Sequence, residues 1–139
     1  MSMIKQQPAK VPGDKQQWVE LRAAGRALAV AQAALAHSGL TMLITETARE
    51  AAAQTRLLEF FTAQQQLPVY SFPDWETLPY DIFSPHQDII SARLQTLANL
   101  PSAQQGVIVV PLSTLMHRIA PTDFVASRTF AYTLGQDLD

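Results

Sequence analysis

Short continuous apolar runs punctuate this chain at Leu40–Thr45 (LTMLIT), 68–72 (PVYSF) and Gly106–Pro111 (GVIVVP). Runs of that length without alternation fit strands of a parallel sheet buried on both faces. Between them the pattern is helical. Residues 15–37 carry eight alanines between Ala23 and Ala36, with Trp18, Leu21, Leu28 and Leu35 as the larger apolar positions. Alanine favours the helix and keeps it thin, so such a helix can lie close against a sheet. Asp14 predicts its N-cap, and Gly39, able to take positive φ, its C-cap. Residues 47–64 predict a second helix with Leu57, Leu58, Phe60 and Phe61 as its core stripe. Prolines, aromatics and acids then mark a loop over residues 73–85. Ser84 as N-cap and Pro85 at the first helical position open a third helix to Leu100, with Ile90, Leu94 and Leu97 on one face. Residues 112–119 predict a short helix capped by Ser113 or Thr114. Residues 128–133 (RTFAYT) alternate and predict a half-buried strand of a different kind. Residues 1–13, with Pro8, Pro12 and Gly13, predict a loose arm. Helix and strand in this order predict an α/β domain built on a parallel sheet.

A length of 139 residues suits one domain able to bury about two thirds of its unfolded surface. Ten basic against twelve acidic residues leave a net charge of −2, which argues against non-specific duplex binding as the main task. Without cysteine, a disulfide framework, a thiolate zinc site and a cysteine nucleophile are excluded. Scattered histidines at 37, 86 and 117 make a metal site improbable. No apolar run is long enough to span a membrane, and the first residues lack the apolar core of a secretory signal. A cytoplasmic protein is expected.

Phosphate binding is the first chemistry to ask of an α/β domain. It needs glycines that let backbone N–H groups surround the phosphates, a lysine, and a hydroxyl for magnesium. The nearest stretch, residues 21–27 (LRAAGRA), offers one glycine and neither of the others. A nucleophile elbow is missing too, since Ser38 before Gly39 sits at a helix end. His117, beside Arg118, reads as an exposed structural histidine, and His86 as a residue that fixes the preceding loop. Asp74, Glu76, Asp81 and Asp88 cluster in sequence, yet most lie in the loop or near a helix N-terminus, where the dipole favours anions. Trp75 and Tyr80 are loop anchors or a partner-binding surface. Arg93 is expected in a salt bridge with an acid such as Asp88, or in contact with another domain. These readings describe a non-catalytic α/β domain, with no catalytic, cofactor or metal residue to assign.

One stretch is more specific. Residues 74–94, DWETLPYDIFSPHQDIISARL, followed by GVIVVP at 106–111 and TLMHR at 114–118, resemble the N-terminal part of the bacterial transcription-repair coupling factors, Mfd. The resemblance runs from about Gln17 to Asp139 and is weakest before residue 40. It implies a RecA-like sheet layer flanked by helices, similar to the first domain of the repair helicase subunit UvrB. It also implies a degenerate phosphate loop at Ala23, Ala24, Gly25 and Arg26. By this likeness residues 14–127 are the UvrB-like domain, and residues 128–139 begin a following domain of the UvrA-binding type. Trp75, Tyr80, Asp81, Ser84, Pro85, His86 and Arg93 are family-motif residues of structural or interface role. ATP and magnesium are expected only in separate motor modules, which also carry DNA translocation. UvrA and RNA polymerase are partners of the whole protein, and neighbouring domains are partners of this one. The implied function is a scaffold domain of a factor that releases RNA polymerase stalled at DNA lesions and recruits nucleotide-excision repair. A UvrB-like nucleotide-binding enzyme domain and a stand-alone protein-binding adaptor are the alternatives. A fragment of a larger protein, with an exposed sheet edge, is the corresponding expectation.

Overall fold

A computed structural model describes residues 11–77, 82 and 84–127. Helix α1 (Ala23–Ala36) leads to strand β1 (Leu40–Thr45), then α2 (Ala48–Thr62), β2 (Val69–Ser71), α3 (Gln87–Asn99), β3 (Gly106–Pro111) and short helices α4 (Leu112–Leu115) and α5 (Thr122–Ala126). The strands form a parallel sheet in the order β1-β3-β2, with Met42 and Tyr70 both level with Ile108. This is the expected α/β layer, a parallel sheet flanked by helices.

Helices α1 and α2 cover one face. Ala27, Val30, Ala31 and Ala34 of α1 and Leu58 of α2 pack with Val107 and Val109 of β3. Alanine dominates the buried side of α1 because a thin helix fits close to its neighbours. Thr55 and Thr62 are buried on α2, and their hydroxyls donate to the carbonyls of Ala51 and Leu58. Such back-bonding satisfies the hydroxyl without any outside partner. Thr47 caps α2 by accepting the Glu50 N–H at 3.1 Å.

On the opposite face Phe72, Ile108 and Val110 form a second cluster, joined by Tyr70, Leu97 and Leu100. Coverage stops at β1. Met42 and Ile44 are 53% and 50% exposed, whereas their register partners Ile108 and Val110 are 7% and 2% exposed. Burial on both faces therefore holds for β3 and fails for β1, which lies at the edge of the sheet among the described residues.

Several predicted boundaries move. Residues 15–22 are not helical: Glu20 takes a φ of 61°, a conformation that a right-handed helix cannot contain. Asp14 caps nothing there and instead accepts the Val11 N–H in a turn. Gly39 is not in the left-handed region. His37 ends α1, and Gln105 reaches across to donate to the carbonyls of Ala34 and His37, at 3.1 and 2.6 Å. A remote amide thus does the work expected of a local glycine. On α2 Phe60 is exposed rather than core, while Leu57 and Phe61 are partly buried. His86, two residues after Ser84, caps α3, and Leu94 is exposed while Arg93 and Thr96 are buried. Helix α4 is shorter than expected and has no side-chain cap. Helix α5 was not foreseen, and it packs on α3 with Val125 buried. The strand expected at 128–133 lies outside the described residues. Among those described, no helix is long and apolar enough to cross a membrane.

Candidate functional site

The loop after β2 turns back under α3. The Phe72 N–H donates to the Val109 carbonyl at 3.0 Å, extending the β2–β3 pairing and anchoring the start of the loop. From α3, the Arg93 guanidinium donates to the Pro73 carbonyl at 2.5 Å. Its central carbon lies 4.2 Å from the Phe72 ring centroid and 4.1 Å from that of Trp75. Arg93 is 3% exposed. A buried guanidinium must recover its lost hydration from fixed partners. Here two aromatic faces and a carbonyl supply them, rather than Asp88. Asp88 instead stays exposed beside His86 at the start of α3. Thr96, one turn further, donates to the Ser71 carbonyl at 2.7 Å and fastens α3 to β2.

Asp74 ties the same loop to α4. Its carboxylate accepts the Ser113 hydroxyl and, at 2.7 Å, the Trp75 N–H. His117 Nδ1 stands 3.8 Å from the other side of the interaction, at Oδ1. A serine, a histidine and an aspartate therefore meet, but in the wrong order for catalysis. In a nucleophilic triad the histidine lies between the acid and the hydroxyl and takes the hydroxyl proton. Ser113 donates straight to Asp74, so the arrangement is a brace. Sequence reasoning missed it because Ser113 and Asp74 are 39 residues apart.

The ground expected of a phosphate loop is the first turn of α1. Arg26 there pairs with Glu50 at the start of α2, and the Gln54 amide donates to the Ala23 carbonyl at 3.1 Å. Side chains of α2 thereby hold the turn in place. Among the described residues no group of three or more acids and histidines could hold a metal ion.

No protein-family profile matches the chain. It is 43% identical over 126 residues to the transcription-repair-coupling factor of Escherichia coli K12, a match that covers 91% of this chain and 11% of that protein. The factor of Haemophilus influenzae is 40% identical over 112 residues, covering 81% of this chain and 10% of its own. The Staphylococcus aureus factor is 24% identical over 86 residues, 62% of this chain and 7% of its own. The chain belongs to the transcription-repair-coupling factor family. It spans about a tenth of the length of its E. coli and H. influenzae relatives.

A match covering 91% of the chain necessarily takes in the loop and α3. Of the family-motif residues, Trp75 and Arg93 meet each other. His86 sits exposed at the α3 N-terminus, where its Nδ1 accepts the Asp88 N–H at 3.3 Å. Ser84 is exposed and Pro85 half-buried, just ahead of that cap. Tyr80 and Asp81 lie outside the described residues. His117, expected to be exposed, is half-buried and borders an apolar groove of about 170 Å³.

Partial burial pushes the Asp74 carboxyl pKa up. The Ser113 hydroxyl, the Trp75 N–H and the charges of His117 and Arg93 outweigh it, so the net shift is downward. Burial likewise lowers the pKa of Arg93, and the charge of Asp74 opposes that. A carboxyl whose folded pKa is depressed stabilises the fold above its unfolded pKa of about 3.9 and loses that contribution as pH falls through the folded value. Urea unfolding at a series of pH values should show Asp74→Asn less stable than the parent at pH 7. The gap should narrow below about pH 4. A gap of constant size down to pH 2 would sink this assignment.

Proposed function

We propose that this chain is a non-catalytic, UvrB-like scaffold domain from the N-terminal part of a transcription-repair-coupling factor. Residues 14–127 form the scaffold, and residues 128–139 lead into the next domain. In the whole protein it holds neighbouring modules while a stalled RNA polymerase is released from damaged DNA and UvrA is recruited to begin nucleotide-excision repair. ATP, magnesium and DNA are handled by motor modules elsewhere in that protein, which works in the cytoplasm. Trp75, Ser84, Pro85, His86 and Arg93 shape the loop and the start of α3.

The reading rests chiefly on the first turn of α1. A phosphate loop there needs a lysine and a hydroxyl beside its glycines. Ala23, Ala24, Gly25 and Arg26 provide neither, and the one cation, Arg26, is engaged by Glu50. Calorimetric titration of the chain with magnesium-ATP should therefore give no binding heat up to about millimolar nucleotide, a level at which even a −4 kcal/mol interaction would register. Micromolar binding would overturn the proposal in favour of a nucleotide-binding UvrB-like enzyme domain.

A further inference from the structure

No further inference is drawn: the strongest candidate, the apolar groove beside the open face of β1, walled by Met42, Leu97, Leu115 and Ile119, is an unpartnered sheet face, and nothing in the structure shows what covers it.

Discussion

Replacing Arg93 with alanine should destabilise the domain by about 3 kcal/mol, more than removal of a typical surface charge. Three contributions are lost together. Each stacked contact of a desolvated guanidinium with an aromatic face is worth about 1–2 kcal/mol. The bond to the Pro73 carbonyl, charge-assisted and partly buried, is worth about 1.5–3 kcal/mol. Truncation also leaves a void between Phe72, Trp75 and α3. The cost of burying the guanidinium, recovered in the variant, offsets part of that sum. Arg93→Lys keeps the charge but not the flat face, so it should restore less than half of the loss. Urea unfolding of both variants at pH 7 checks the ranking. A lysine variant as stable as the parent would mean that charge alone, and not stacking, is what Arg93 provides.

Gly106→Ala should cost about 3 kcal/mol or more, through backbone geometry. Gly106 begins β3 with a φ of +152°, a region that residues with a Cβ rarely adopt. An added Cβ would lie 2.9 Å from the Pro68 carbonyl oxygen and 2.9 Å from the Tyr70 ring. The ring can swing aside, but the carbonyl cannot easily move. It accepts the Val107 N–H at 2.9 Å, at the start of the β2–β3 pairing. Relief of the clash therefore breaks the ladder between β2 and the central strand. The variant should unfold at lower urea with an unchanged slope, or fail to accumulate as folded protein. Stability equal to the parent would show that the strand start tolerates a side chain and that this close approach is not required.

The strands were legible because each is a short apolar run. Such runs bury themselves wherever the sheet is covered, and β3 is buried at every position. The same signal could not show that β1 lies at an edge. Edge position depends on strand order, which no local pattern encodes. The helix caps depart from their local signatures for a related reason. Asp14, Gly39 and Ser84–Pro85 all carry good local signatures. Yet a left-handed Glu20, a remote amide from Gln105 and the imidazole of His86 decided where the helices begin and end.

The loop shows the same division between local and tertiary information. Trp75 reads from sequence as a loop anchor or a partner-binding surface, because a large aromatic in a proline-rich loop has apolar surface to cover, and in the structure its ring lies against Arg93. Its partner was missed. Asp88, five positions before Arg93 on the same helix, offered an obvious opposite charge. The structure instead folds the loop back so that Phe72 and Trp75 reach the guanidinium from about 20 residues away in sequence. Ser113 and His117 meet Asp74 only because β3 delivers α4 beside the end of β2.

The most distinctive stretch of the sequence braces the domain through the contact between Trp75 and Arg93. A double-mutant cycle on Trp75→Ala and Arg93→Ala, read by urea unfolding, tests it most directly. The two losses should fall short of additivity by about 1 kcal/mol, the worth of the shared contact. Losses that add to within about 0.3 kcal/mol would show the two side chains to be energetically independent, and would contradict it.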